Sequence, residues 1–126
     1  MFPIQQADVP QTSPAVLVVE DEYDIRQALH LLLELEGYRV LEAANGREAL
    51  RVLDNSEAVG VVLLDMMMPV MNGWQFLEAI SNRSLPVIVV SARSEPISGV
   101  NVKAQIGKPI SVDTLVKEIR KWVTTP

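Results

Sequence analysis

A chain of 126 residues has room for one domain, and with 48 % apolar against 21 % charged residues it can bury a core and is not disordered by composition. Eleven basic against sixteen acidic residues leave a net charge of −5 without a basic cluster, which argues against direct nucleic-acid binding. The lack of cysteine removes disulfide scaffolds, thiolate zinc sites and cysteine nucleophiles, and a single histidine, His30, removes an imidazole metal cluster.

Residues 1–14 carry Pro3, Pro10 and Pro14 among glutamines and read as a mobile leader. The first basic residue is Arg26, so the start lacks the charged region of a signal peptide, and runs such as Ala58 to Leu64 are too short to span a bilayer. A cytoplasmic location without membrane insertion is the expectation. The domain is predicted over 15–123, with 124–126 as a tail.

Ala15 to Glu20 is a β-branched run ending in acid and reads as the first strand. Asp24 to Glu36 then places Ile25, Ala28, Leu29 and Leu32 on one helical face and stops at Gly37, leaving His30 as an exposed helix residue without a role. Tyr38 to Ala43 is the second strand, and Asn45-Gly46-Arg47-Glu48 has the form of a capping box opening a helix with Ala49, Leu50 and Leu53 inward. Val59 to Asp65 is the third strand; Asn72 caps a helix burying Phe76, Leu77 and Ile80. The runs Val61 to Leu64 and Val87 to Val90 do not alternate, the pattern of strands covered on both faces of a parallel sheet. Pro86 to Ser91 is the fourth strand. Over 92–101, Pro96 and Gly99 leave space for one or two helical turns at most. Val102 to Ile106 is the fifth strand, and Ser111 opens a last helix with Val112, Leu115, Val116, Ile119 and Trp122 at the helical period. Met66, Met67, Met68 and Met71 read as loop packing, and Trp74 and Trp122 as partly buried. Alternation of this kind predicts a doubly wound α/β sandwich with a degraded fourth helix, and the polar strand ends converge on one rim if the strand order is 2-1-3-4-5, the flavodoxin-like (βα)5 arrangement expected here.

In such a sheet ligands sit beyond the carboxyl ends of the strands, which selects Glu20, Asp21, Asp65, Ser91 and Lys108. Three convergent carboxylates repel one another, and a hard divalent cation, Mg²⁺ or Mn²⁺, relieves that repulsion without Cys or His ligands. With the metal, a lysine and a hydroxyl to neutralise phosphoryl oxygens, a carboxylate can act as nucleophile toward phosphorus.

The segments Val18-Val19-Glu20-Asp21-Glu22, Leu63 to Pro69 with Asn72-Gly73, Val90-Ser91-Ala92 and Lys108-Pro109-Ile110 resemble those of the receiver domain of bacterial two-component response regulators. The resemblance implies that Glu20 and Asp21 are the acid pair and Asp65 the phosphoacceptor. It makes Ser91 the switch hydroxyl, Lys108 the phosphate-contacting lysine, and the backbone carbonyl of Met67 a further Mg²⁺ ligand. It also implies a histidine kinase or histidine phosphotransfer protein as partner, and a signalling domain with at most slow self-dephosphorylation in place of a turnover enzyme.

Two departures stand out. Gln105 occupies the position, three before the lysine, where the family usually carries an aromatic ring that moves inward on activation. The stretch from Ser91 to Lys108 is also short for the family by roughly five residues, more than one helical turn. These motivate an alternative, a receiver-fold binding or scaffold module whose partner recognition is largely independent of phosphorylation. A metal-dependent phosphatase with an aspartyl nucleophile fits less well, because Met67 stands where such enzymes typically place a second Asp.

Overall fold

The computed structural model describes residues 13–55 and 58–123. Nearly all of the expected leader and the whole of the expected tail lie outside that range. Five strands, β1 (Ala15–Val19), β2 (Val40–Ala43), β3 (Val59–Asp65), β4 (Val87–Ser91) and β5 (Val102–Gly107), form one parallel sheet in the order β2-β1-β3-β4-β5. Four helices accompany them: α1 (Tyr23–Leu35), α2 (Gly46–Asp54), α3 (Gly73–Ala79) and α4 (Val112–Arg120).

The non-alternating strands are covered on both faces, as expected. Leu17, Val19, Val62, Leu64, Val87 and Val89 meet Ala49 and Leu53 of α2 and Phe76 and Leu77 of α3 in one core cluster. Val16, Val18, Val61, Leu63, Ile88 and Val90 meet Leu33 of α1 and Leu115 and Ile119 of α4 in the other. Period-two side-chain direction thus sends each strand's apolar residues alternately into two cores, and a run of four needs both layers.

The helix ends follow local chemistry. Gly37 takes φ 94°, the left-handed cap conformation that a residue with a Cβ adopts at a cost. The complete capping box belongs to α3, where Asn72 and Gln75 bond each other's backbone N–H; at α2 Asn45 accepts from the Glu48 N–H without the reciprocal bond. Two helix faces differ from expectation. Ala28 is exposed and Leu33 is the buried residue of α1, while Val112 at the start of α4 and Trp122 just beyond its end are 44 % and 39 % exposed, and Val123, past the helix, is buried. A stripe near 100° wide leaves border positions half in water.

The connection from β4 to β5, residues 92–101, contains no helix. Ten residues are fewer than the dozen or more that a parallel crossover usually takes. What remains is an irregular strap with Ile97 packed against the α2/α3 core.

Candidate functional site

The carboxyl ends of β1 and β3 lie side by side in the sheet, with Val19 opposite Leu64. Their terminal acids therefore meet on one rim. Glu20, Asp21 and Asp65 each bring a carboxylate oxygen to within 4.8 Å of the others. Glu20 and Asp65 are buried and Asp21 is exposed. The acid loop is tied by Glu20 N donating to the Ala43 carbonyl and Glu22 N donating to Glu20 Oε2 at 3.0 Å.

Lys108 follows β5 and reaches the same place. Its Nζ lies 3.4 Å from Asp65 Oδ1, which also accepts from Met67 N at 3.2 Å. Among the described residues both hydrogen bonds to the Asp65 carboxylate fall on Oδ1, so Oδ2 has no protein donor. Ser91, buried at the end of β4, stands one position beyond Val90, the residue paired with Asp65. Its Oγ accepts from Arg93 N at 3.1 Å, and its carbonyl accepts from Lys108 N. The loop after Asp65 closes through Gly73, whose N–H donates to the Met66 carbonyl. A Cβ on Gly73 would meet the Met66 Cα at 2.7 Å, so a side chain there would push the loop off the strand end.

Burial raises the Glu20 carboxyl from its ordinary 4.5 to about 7; repulsion from Asp65 and the hydrogen bond that protonated Glu20 donates to Asp21 add to this, while the Glu22 N–H and Lys108 oppose it. A buried acid beside two others gains most from a cation. The donor set is three carboxylates without nitrogen or sulfur, which fits a hard divalent ion. Met67, the fourth expected ligand by its carbonyl, sits exposed in the loop directly after Asp65.

All five expected side chains thus lie on one rim, four of them joined through Asp65, although no hydrogen bond links Ser91 to Asp65 among the described residues. His30 differs from expectation. It is partly buried, its Nδ1 paired with Glu42 and its Nε2 3.2 Å from Glu34. A polar face of α1 is covered by β2, whose Glu42 turns toward the helix. Residue type and helical period did not carry that information.

Residues 16–120 match the response regulator receiver domain. The chain belongs to this family. The receiver domain is 35 % identical over 105 residues to the response regulator GtcR of Aneurinibacillus migulanus, covering 79 % of this chain and 43 % of the relative. It is 36 % identical over 111 residues to the transcriptional regulatory protein CpxR of Escherichia coli K12, covering 83 % and 47 %. The chain spans less than half the length of these curated relatives. Among solved structures it resembles the chemotaxis protein CheY4 of Vibrio cholerae with a TM-score of 0.78 and 30 % identity, covering 88 % of this chain and 99 % of that one. The Francisella response regulator 1452 receiver domain gives 0.79 at 30 % identity, covering 86 % and 95 %. The order 2-1-3-4-5 is therefore that of a receiver domain. No helix among the described residues is long and apolar enough to cross a membrane.

Proposed function

We propose that this receiver domain accepts a phosphoryl group on Asp65 from the phosphohistidine of a histidine kinase or histidine phosphotransfer protein, acting as a signalling switch in a phosphorelay. The observation that carries this reading is the convergence of three carboxylates within 4.8 Å with an ammonium on the same Asp65. Glu20, Asp21, Asp65 and the Met67 carbonyl would hold Mg²⁺, with Mn²⁺ meeting the same ligand preferences; the ion supplies positive charge that lowers acid repulsion and neutralises phosphoryl oxygens.

Asp65 Oδ2, which has no donor among the described residues, is the attacking oxygen. Its lone pair forms the bond to phosphorus while the phosphorus–nitrogen bond of the donor breaks and its electron pair leaves on the imidazole. An acyl phosphate on Asp65 results. Lys108 meets the charge of the transferred oxygens. The Ser91 hydroxyl accepts from Arg93 N, so its own proton is available to donate to a phosphoryl oxygen. The phosphorylated chain is the product and the signal, which makes the domain a phosphoacceptor with at most slow hydrolysis of its own. This reading implies a cytoplasmic location. The net charge of −5 supports protein partners for this domain over direct DNA contact.

The test is intact mass after exposure to acetyl phosphate. One phosphoryl group is expected in the presence of Mg²⁺, none with chelator and none in Asp65→Asn. Uptake that persists in Asp65→Asn would remove Asp65 from the role.

A further inference from the structure

Outside the acid rim, α1 and β2 share a polar network centred on Glu42. Its carboxylate accepts from Arg26 Nε at 3.0 Å and Gln27 Nε2 at 2.7 Å, and its other oxygen pairs with His30. Arg26 is the member that reaches the site. Its Nη1 donates to the Glu20 carbonyl at 2.8 Å and lies 3.4 Å from the Asp21 carbonyl, and its guanidinium stands 5.4 Å from the Tyr23 ring centroid.

The choice of acceptor matters. A guanidinium bonded to the Glu20 or Asp21 carboxylates would compete with a cation for them. Arg26 holds their backbone carbonyls instead, and Glu42 offsets its charge. Fixing two successive carbonyls on one donor fixes the peptide planes of the loop, and with them the direction in which the two side chains leave the backbone. Because the guanidinium is a planar fork, one residue can serve β2 through Nε and the loop through Nη1 at once.

We propose that Arg26, anchored by Glu42, is a positioning residue that presets the Glu20–Asp21 loop for the metal ion. The inference rests on the Mg²⁺ reading above, and Asp21→Ala separates the two. Mg²⁺ affinity of the full chain is measured by titration calorimetry in wild type, Asp21→Ala, Arg26→Ala, Glu42→Ala and the Arg26→Ala/Glu42→Ala double variant, with metal-free melts alongside.

Asp21→Ala should lose resolvable binding. Arg26→Ala should raise the dissociation constant by about tenfold, the low end for residues that orient metal ligands. Glu42→Ala should weaken binding too, and the double variant should be no weaker than Arg26→Ala alone, since Glu42 acts through Arg26. A lowered melting temperature with unchanged Mg²⁺ affinity in Arg26→Ala would make the network a structural tie and overturn the proposal. Additive losses in the double variant would overturn it as well. Should Arg26→Ala fail to fold, Glu42→Ala decides: weakened binding supports the proposal, unchanged binding refutes it. If Asp21→Ala binds Mg²⁺ as the wild type does, the metal reading itself falls and takes this one with it.

Discussion

The rim at the ends of β1 and β3 and the strap from β4 to β5 solve opposite problems. At the rim, charges that repel are brought together and half-covered, and the surrounding backbone is held by Arg26, Gly73 and the Ala43 carbonyl. Along the strap, backbone groups that a helix would have satisfied internally find side-chain amides. Gln105 Oε1 accepts from Ile97 N at 2.7 Å while its Nε2 donates to the Glu95 carbonyl at 2.9 Å. Further on, buried Asn101 donates from Nδ2 to the carbonyls of Arg83 and Leu85, and its own carbonyl accepts from Val87 N. The rim stores unfavourable electrostatics ready for a ligand. The strap is a short crossover fastened at its middle and its far end, and the polar residue at the family's aromatic position is one of its fasteners.

If the two regions are energetically separate, each can be damaged alone. Metal-free Glu20→Gln should be more stable than wild type by about 3 kcal/mol at pH 8, since raising the carboxyl from 4.5 to about 7 costs the ionised form about 1.4 kcal/mol for each pH unit between them. The neutral acid's advantage is complete below about pH 4.5 and is lost as pH rises through about 7, so the variant's gain should vanish toward pH 4.5 in urea titrations. The same proton competes with metal, and wild-type Mg²⁺ affinity should fall as pH drops below about 7. Asn101→Ala leaves two carbonyls without their donor and should cost about 2 kcal/mol in the same titrations, with Mg²⁺ affinity unchanged. A parallel loss of metal binding would show that strap and rim are one unit.

Gln105→Ala removes two hydrogen bonds and should cost about 1–2 kcal/mol, with amide exchange faster by about tenfold at Ile97 and little altered at Met67. Exchange at Ile97 matching the wild type would mean that the amide does not hold the strap. The smallest effect is expected at Val70, an exposed β-branched residue at φ 69° in the loop after Asp65. Val70→Asn should raise stability by about 0.5–1 kcal/mol, because Asn tolerates the left-handed region better. No gain in a thermal melt would contradict strain at that position.

These regions also differ in how far the sequence revealed them. Continuous apolar runs at Val61 to Leu64 and Val87 to Val90 announce strands buried on both faces, and acids directly after such runs can only lie at a strand's carboxyl end. Hence Glu20, Asp21 and Asp65 are legible together, with Ser91 at the end of the run Val87 to Val90. Pro96 and Gly99 likewise forbade a long helix over 92–101. The fastening was not legible, because nothing in Gln105 or Asn101 as residue types says which carbonyl or N–H will face them once the strap is laid down. Arg26, Glu42 and His30 were hidden for the same reason: a polar helix face reads as solvated until a strand is known to lie under it.

Amide chemical shifts with and without Mg²⁺ and beryllofluoride, a phosphoryl mimic, test the central contrast most directly. A ligand moves a two-state element only through differential affinity for its states, and the strap's ties through Gln105 and Asn101 oppose a second arrangement. Large changes are expected at 20–22, 65–67, Ser91 and Lys108, with Glu95, Ile97, Asn101 and Gln105 nearly unmoved. Concerted shifts running through 92–105 would show that phosphoryl capture is transmitted along the strap, and that its ties do not fix it.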